Sequence, residues 1–489
     1  AVAVAITILY LELLPELTPA LNPAPKRPSI EVSFRELAGD ALEIAAKTDA
    51  RGEIEYELLD SSSKTVLSGR VENGTLRFTG LEPGTEYLAK LRIQGEELVE
   101  FPFRTFGPID SLQGYRLFYF VDLTDTKASR VKVTIFGQFK YCGDIALRRY
   151  TYSFSPDTGM DIIEGPIVEF QRASGSASVS RVGSSIESVQ ITPNSSYGYF
   201  RLEYTCDKSK SKKTTIHGVA GHLSEVYFMA SHEQFLIFPV ITEEEQLRWF
   251  ALSPVTHAGW KLHTWWNRSE IGILYVPLNK VGLENLFEVF APTHFYAYDP
   301  VYFAEFRRKV AETNILVVKE RTIADPWENY IFEIYSKMVD YWGGDADYRR
   351  YNYSDYVVML VDDSEAIWAG EYTDAQGFSV RGHRYDYEMA AHQIFHRWNG
   401  WAIGIGVTAP GGENPAFWLE GWNEFYCDKV ATELGLISSH SYMKDWYDYY
   451  KGIYGTERDG PLVYYDPEKQ DPRFPYSKGA VAVLPLIHI

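Results

Sequence analysis

The chain is poor in cysteine and carries no long basic run. Cys142, Cys206 and Cys427 are its three thiols in 489 residues, and none has the closely spaced partner that a thiolate zinc site requires. Three thiols are too few for a disulfide scaffold, so either Cys142 and Cys206 bridge within one β domain or all three are small buried residues. The formal charge of -19 argues against a broad surface for nucleic acids.

The apolar run at the start of the chain is shorter than a membrane span. AVAVAITILYLELL has about fourteen residues, whereas a transmembrane helix needs about 20. Two interpretations stay open: the remainder of a signal-anchor at a membrane, or a strand exchanged with a neighbouring sheet, which allows a homo-oligomer. N-x-S/T sequons weakly favour an extracellular or cell-surface protein; they lie at Asn73, Asn194, Asn267 and Asn352.

Length and composition predict a multidomain globular protein. The chain is 45% hydrophobic, and 489 residues correspond to about three domains. Residues 1–28 end in a Pro-rich linker. Short alternating strands in residues 29–107 predict a small β-sandwich. Its segment LEPGTEYLAKLRI, with Tyr87 after a Pro-Gly turn, and its closing FRTF resemble a fibronectin type III module. Alternation continues through residues 108–299 and predicts a larger β domain, so the N-terminal half is expected to be all-β.

Residues 300–489 change towards a helical period and predict an α+β domain. Apolar residues recur at three- and four-residue steps in VYFAEFRRKVAE, from Val301, and in WENYIFEIYSKMVDYW, from Trp327, so both segments are predicted to be helices. The run DYVVMLVDD predicts a strand. YEMAAHQIFHRW and FWLEGWNEFYCDKVATELG are each predicted to form a helix.

Two histidines on one of these helices predict a metal site. In AAHQIFHRWNG, His392 and His396 are four residues apart, which places both imidazoles on one helix face within reach of one cation. A tetrahedral catalytic zinc needs a third protein ligand and an open fourth position. Glu420, in FWLEGWNEFY on the next helix, fits that need.

These motifs resemble a known peptidase family. HQIFHRWN followed by WLEGWNEFY is similar to the HExxH-x-WN and W-x-x-EG-x-x-x-Y segments of the glycyl aminopeptidases, within the gluzincins that include aminopeptidase N. The resemblance runs from about Pro300 to the end. It implies a thermolysin-like catalytic domain, a zinc cofactor, a peptide substrate or ligand, and removal of N-terminal residues.

The resemblance also implies further site residues. PYSKGAVAVL resembles the family's Tyr-x-Lys-Gly helix start, which gives Tyr476 the role of donor to the developing oxyanion. WAGEYTDAQG is the nearest counterpart of the strand edge that holds the substrate amino group, which points to Gly370 and Glu371, although a surface turn is an equal alternative. Glu424, one turn after Glu420, either orients His392 or is an ordinary surface glutamate.

Gln393 is the main departure from the family pattern. The Glu of HExxH takes a proton from the attacking water, and a glutamine cannot, which costs about 10²–10⁴-fold in rate. Either the protein is a decayed or repurposed peptidase, or a Glu was replaced to trap a complex. Two functions therefore remain: a zinc aminopeptidase, and a non-catalytic cell-surface or filament-forming binding protein with a peptidase fold.

Peptidases of this type continue beyond the equivalent of Ile489, so we expect the catalytic-type domain to be incomplete at its C-terminus.

Overall fold

The computed structural model describes most of the chain from Ser29 onward. The described residues are 29–71, 73–149, 162–182, 185–208, 222–240, 247–264, 266–275, 294–345, 355–362, 370–374, 377–381, 387–402, 420–438, 441–456, 458–459 and 477–482. The apolar run of residues 1–14 and the sequon at Asn352 lie outside them. No helix among the described residues is long and apolar enough to cross a membrane.

The first region forms two antiparallel sheets. Its strands are β1 (Ile30–Leu37), β2 (Ala41–Thr48), β3 (Ile54–Asp60), β4 (Thr65–Arg70), β5 (Thr75–Thr79), β6 (Glu86–Ile93) and β7 (Glu96–Arg104). One sheet has the order β1-β2-β5, and the other contains β4-β3-β6-β7. Side chains of β6 alternate between buried and half-buried along its whole length, as expected for a strand with one face on a core. The Glu82 backbone N–H donates to the Tyr87 hydroxyl at 3.0 Å, which ties the turn before β6 to the sandwich.

The second region is also built from strands. They are β8 (Gly114–Asp122), β9 (Arg130–Lys140), β10 (Ile145–Arg149), β11 (Ile162–Gln171), β12 (Gly175–Val182), β13 (Ser185–Pro193), β14 (Tyr197–Asp207), β15 (His222–Leu223), β16 (Tyr227–Ser231), β17 (Ile237–Pro239), β18 (Leu247–His257), β19 (Lys261–Thr264), β20 (Asn267–Arg268), β21 (Leu274–Tyr275) and β22 (His294–Tyr298). Short 3-10 turns occur at Ile109–Ser111 and His232–Gln234. The expected all-β character of this half is therefore present in the described residues.

The two β regions share one sheet and one hydrophobic core. Strand β18 pairs in parallel with β8 and antiparallel with β7, so an 11-stranded sheet passes from one region into the other. The stacked rings of Phe34 and Phe120, with centroids 3.7 Å apart, join β1 to β8. Phe101 and Phe136 contribute to the same buried cluster. The first region thus packs directly on strands beyond residue 107.

The cysteines do not form a disulfide. Cys206 lies opposite Val131 in the β14–β9 ladder, whereas Cys142 follows the other end of β9, so the two are on the order of 30 Å apart along the strands. A disulfide needs Cα atoms within about 7 Å. The predicted Cys142–Cys206 disulfide is therefore wrong. None of the three cysteines is in a disulfide; Cys206 and Cys427 are buried and Cys142 is half-buried.

The third region places helices against a five-stranded sheet. Its strands are β23 (Phe303–Val310), β24 (Thr313–Glu320), β25 (Asp355–Val361), β26 (Gly370–Asp374) and β27 (Gly377–Arg381), in the order β23-β24-β25-β27-β26. Its helices are α1 (Trp327–Trp342), α2 (Tyr387–Phe395), α3 (Trp422–Glu433) and α4 (Ser441–Ile453). A π-helical turn, Arg397–Ala402, follows α2, and residues 477–482 are also helical.

Four of the five element predictions in this region are confirmed and one is wrong. The helix predicted in WENYIFEIYSKMVDYW is α1, and the strand predicted in DYVVMLVDD is β25. The two motif-bearing helices are α2 and α3. VYFAEFRRKVAE was predicted to be helical, but it contains β23, which forms a hairpin with β24 through Ala311. As an edge strand that is buried only at its two ends, Phe303 and Val310, β23 lacks the alternation that marks a half-buried strand.

Candidate metal centre

Helix α2 supplies two imidazoles to one point. His392 and His396 are separated by one helical turn, closed by the His396 N–H donating to the His392 carbonyl at 3.3 Å. The Nε2 atoms of the two rings are 3.1 Å apart. Ala391, Ile394 and Phe395 of the same helix are buried in the core of the third region, so the polar face of α2 is fixed by apolar packing behind it.

Glu420 completes a triangle of potential ligand atoms. It lies two residues before the start of α3, and its Oε2 lies 3.1 Å from His392 Nε2 and 3.6 Å from His396 Nε2. Its side chain is 16% exposed, and those of His392 and His396 are 7% and 15% exposed. The structure therefore brings together the three residues that the sequence nominated as a ligand set.

The triangle has the dimensions of one face of a tetrahedral metal site. An ion with bonds of about 2.0–2.1 Å to nitrogen and oxygen places its ligand atoms roughly 3.3 Å apart. The three observed separations of 3.1, 3.1 and 3.6 Å bracket that value. Among the described residues, this is the one group of His, Cys, Asp or Glu side chains close enough to hold an ion. Two imidazoles and one carboxylate are a donor set that suits zinc.

Glu424 holds the far side of the His392 ring. Its Oε1 lies 2.9 Å from His392 Nδ1, and its side chain is only 3% exposed. Its other oxygen accepts a hydrogen bond of 2.6 Å from the Trp446 indole N–H on α4. A carboxylate on the second nitrogen of a ligand imidazole fixes the ring orientation and directs Nε2 towards the ion. The surface-glutamate alternative for Glu424 is inconsistent with this burial.

Charges within the cluster compensate one another. Burial favours the neutral ring, but the Glu424 and Glu420 carboxylates raise the pKa of His392 to about 10. Burial lowers the pKa of His396 from its usual value. Burial acts against ionisation of Glu420, but the two imidazoles hold its pKa well below its usual range. These shifts favour a protonated His392 beside an ionised Glu420, and a zinc ion held by the cluster would take the place of the proton on His392 Nε2.

Gln393 lies on α2 between the two histidines and is half-buried. The Tyr356 hydroxyl donates to its backbone carbonyl at 3.5 Å, which helps to hold this turn of α2 on the sheet. A carboxamide can hydrogen-bond a water molecule, but it cannot accept a proton near neutral pH. The cluster therefore has the form of a metal site with a non-basic residue between its two histidines.

The other residues implied by the family resemblance are described only in part. Gly370 and Glu371 lie in β26 at the edge of the sheet, paired with Val380 and Ser379 of β27. Some Cα atoms of β26 lie within 8 Å of α2, which places this edge beside the helix of the histidines. The Glu371 side chain and the whole of Tyr476 lie outside the described residues.

The helical segment that follows Tyr476 packs against Gly421, the residue after Glu420. A Cβ atom on Gly421 would lie 2.5 Å from the carbonyl carbon of Gly479 and 2.6 Å from its Cα. Lys478 donates to Asp459 at 2.8 Å and lies over the Tyr450 ring, which fastens the same segment to α4. Glu420, a potential ligand, is therefore followed directly by a glycine whose backbone is in close contact with the final helical segment.

Arg397 forms a buried polar network under α2 that sequence reasoning missed. Its guanidinium group donates to the Thr313 hydroxyl at 2.8 Å and lies over the Tyr335 and Tyr356 rings. Tyr335 donates in turn to Asp345 at 2.8 Å. An Arg directly after His396 was visible in the sequence, but its burial depends on partners on β24 and α1. The network anchors the end of the histidine-bearing helix to the sheet.

Comparison with known proteins finds likeness at the level of structure. No family model matches the chain, and no curated protein matches it. The chain is similar to an aminopeptidase N family protein from Idiomarina loihiensis, with a TM-score of 0.55, 12% identity, and coverage of 75% of this chain and 65% of that one. It is also similar to a zinc metallopeptidase from Deinococcus radiodurans, with a TM-score of 0.43, 14% identity, and coverage of 76% and 81%. The chain thus spans about two thirds of the length of the Idiomarina protein, and at this identity the likeness concerns the fold.

Proposed function

We propose that this chain is a zinc-binding, aminopeptidase-like protein that recognises the amino terminus of peptides. The observation that carries the proposal is the triangle of His392 Nε2, His396 Nε2 and Glu420 Oε2, which has the dimensions of a tetrahedral zinc face. The fold likeness to the Idiomarina aminopeptidase N family protein supports the same function independently of the residue motifs.

Each residue has a distinct task in this proposal. When bound, zinc polarises the scissile carbonyl and lowers the pKa of water at the site. His392, His396 and Glu420 hold the ion, and Glu424 keeps the His392 ring in place. Glu371 pairs with the substrate ammonium group, and Tyr476 donates to the developing oxyanion. Gln393 hydrogen-bonds water without accepting its proton, so hydrolysis is about 10²–10⁴-fold slower than with Glu.

The domain organisation extends this proposal. The sheet orders β1-β2-β5 and β4-β3-β6-β7, together with the hydrogen bond to the Tyr87 hydroxyl, support a fibronectin type III-like sandwich. The sheet β23-β24-β25-β27-β26, with α2 and α3 beside it, supports a thermolysin-like catalytic domain. The sequon residues Asn73, Asn194 and Asn267 are all exposed, which supports an extracellular or cell-surface location.

Gln393 favours a second candidate function, a non-catalytic binding protein that keeps the peptidase fold. In this alternative the site holds a peptide without cleaving it, and the β half provides the surface for assembly. The two candidates differ in what Gln393→Glu does. A site that is intact except for the base gains hydrolysis with this single change, whereas a repurposed site does not.

One paired experiment tests the proposal. Zinc content and release of N-terminal residues from short peptides are measured for the wild type, Gln393→Glu and the control Gln113→Glu. The control adds the same charge at an exposed position of the β half. We expect about one zinc ion per chain in all three, and hydrolysis at least about 10²-fold faster in Gln393→Glu alone.

The outcomes separate the two candidates. Zinc in every variant without hydrolysis in Gln393→Glu supports the non-catalytic protein. Absence of zinc from the wild type and from Gln393→Glu contradicts the metal site, and the aminopeptidase assignment is then wrong.

A further inference from the structure

Two buried amides connect the elements that carry the potential ligands. Asn399, in the π-helical turn after α2, donates from Nδ2 to the Oδ1 of Asn423 on α3 at 2.9 Å. Asn423 donates from its own Nδ2 to the backbone carbonyl of His392 at 3.1 Å. Asn423 is completely buried and Asn399 is 2% exposed, so water does not compete for these bonds.

The direction of this chain of bonds is fixed by chemistry. A backbone carbonyl only accepts, so the Asn423 atom that faces His392 is the amide nitrogen and its oxygen points to Asn399. Buried amides cost free energy unless they are hydrogen-bonded, which makes the arrangement directional and intolerant of displacement. The two side chains therefore determine the distance between α2 and α3 more sharply than apolar packing would.

The carbonyl that Asn423 contacts lies within the metal centre. It closes the helical turn between the two imidazoles by accepting the His396 N–H at 3.3 Å. Asn423 itself is three residues after Glu420. The Asn423 side chain thus connects the backbone of the histidine turn to α3, the helix that follows Glu420. The π-helical turn that carries Asn399 is an uncommon geometry that occurs frequently at functional sites.

We infer that Asn423, supported by Asn399, is a positioning residue that sets the metal affinity of the centre. This inference rests on the proposed function, since it assumes that His392, His396 and Glu420 bind zinc. Asn423 touches neither the ion nor a substrate. It acts by holding the His392–His396 turn at the distance from Glu420 at which the three ligand atoms form their triangle.

The test compares a near-isosteric variant with a control of equal burial. Asn423→Asp keeps the acceptor for Asn399 but turns an oxygen towards the His392 carbonyl, so that bond is lost. The control, Tyr204→Phe, removes a buried hydroxyl that donates to the Phe235 carbonyl at 2.9 Å in the β half. Zinc affinity is measured in competition with a chromogenic chelator, and the visible spectrum of the Co²⁺-loaded protein reports ligand geometry.

We expect Asn423→Asp to bind zinc about 10–100-fold more weakly and to shift the Co²⁺ bands, as is typical when the support of a ligand is lost. Tyr204→Phe is expected to keep both the affinity and the spectrum, although it loses thermal stability. If Asn423→Asp does not fold, the inference is tested with Asn399→Leu, for which we expect zinc affinity to fall about 10-fold.

Unchanged affinity and spectrum in the folded Asn variant would overturn the inference while leaving the proposed zinc site intact. Failure of the wild type to bind zinc or Co²⁺ would overturn the proposed function, and the inference with it. A loss of affinity as large in Tyr204→Phe as in Asn423→Asp would show a general stability effect and would also overturn the inference.

Discussion

Buried ionisable groups determine the chemistry of this protein at the scale of single residues. In the candidate metal centre, Glu424 is buried and Glu420 is half-buried beside His392, and the two carboxylates raise the pKa of that imidazole. Asp122, at the end of β8, is buried in a different setting, where its Oδ1 accepts hydrogen bonds from the Thr124 backbone N–H and hydroxyl. The two imidazoles hold the pKa of Glu420 below its usual range, whereas burial raises the pKa of Asp122.

Asp122 is predicted to make stability depend on pH. Burial raises the pKa of Asp122 to about 6, although the hydrogen bonds from Thr124 act to lower it. The pKa in the unfolded chain is near 3.9. The folded state therefore binds the proton more tightly, so its contribution to stability is full below about pH 4 and is lost as pH rises through about 6. For Asp122→Asn we expect this decline, about 2 kcal/mol between pH 4.5 and 7.5, to disappear. Urea unfolding across this pH range measures it.

Asp110→Asn serves as the control, because the Asp110 side chain is 99% exposed and its removal should leave the pH dependence unchanged. An equally steep decline in Asp122→Asn and the wild type would contradict the assignment to Asp122.

The ligand residues could be predicted from sequence because their geometry is local. Four-residue spacing on a helix brings His392 and His396 together whatever the rest of the fold does, and the family resemblance of the WLEG segment pointed to Glu420. Glu424 was one of two interpretations, and its Oε1 lies 2.9 Å from His392 Nδ1. Asn399 and Asn423 lay inside the quoted motifs, but their pairing depends on the docking of α3 on α2. No local pattern revealed it.

At the scale of elements, the contact of Gly421 with the final helical segment sets a steric limit. A methyl group at Gly421 would lie 2.5 Å from the Gly479 backbone, so the segment must move away from α3. We predict that Gly421→Ala lowers the free energy of unfolding by about 1–3 kcal/mol, the usual cost of overpacking. Denaturant unfolding followed by tryptophan fluorescence measures this change.

Gly143→Ala is the matched control, since a Cβ there meets no heavy atom within 4 Å and the expected change is within about 0.5 kcal/mol. Equal stability of Gly421→Ala and the wild type would contradict the close packing of the two segments.

Helix α1 and strand β23 show where element prediction succeeds and fails. Residues Trp327, Ile331, Ile334, Tyr335 and Met338 of α1 are buried at helical spacing, so its sequence carries the full signal of an amphipathic helix. In β23, Phe303, Phe306 and Val310 happen to recur at steps of three and four. The segment is a strand because it hydrogen-bonds to β24, and this pairing is not encoded in the sequence of the segment itself.

At the scale of the whole molecule, the shared core of the two β regions has an energetic consequence. Phe120 is fully buried on β8 and touches Phe34 on β1 and Phe101 on β7. We predict that Phe120→Ala costs about 3–5 kcal/mol and lowers amide protection in β1 and β7 as well as in β8 and β9. Hydrogen exchange followed by mass spectrometry resolves these strands.

Tyr454→Ala, at a side chain that is 69% exposed, is expected to leave the exchange pattern unchanged. Loss of protection confined to β8 and β9 in Phe120→Ala would show that the two regions are energetically independent.

The sequence predicted two β regions but not their union. The pairing of β18 with β7 joins Thr256 to Glu100 across more than 150 residues, and each strand has the same alternation whether its neighbour is near or distant in sequence. Long-range ladders of this kind are set by the packing of whole sheets.

The central claim is that two imidazoles and one carboxylate bind a single zinc ion. X-ray absorption at the zinc edge, recorded on wild-type protein after zinc loading and desalting, tests it most directly. We predict nitrogen and oxygen neighbours at about 2.0–2.2 Å, multiple scattering from two imidazoles, and loss of the signal in Glu420→Ala. Sulfur neighbours at about 2.3 Å, or zinc retained unchanged in that variant, would contradict the claim.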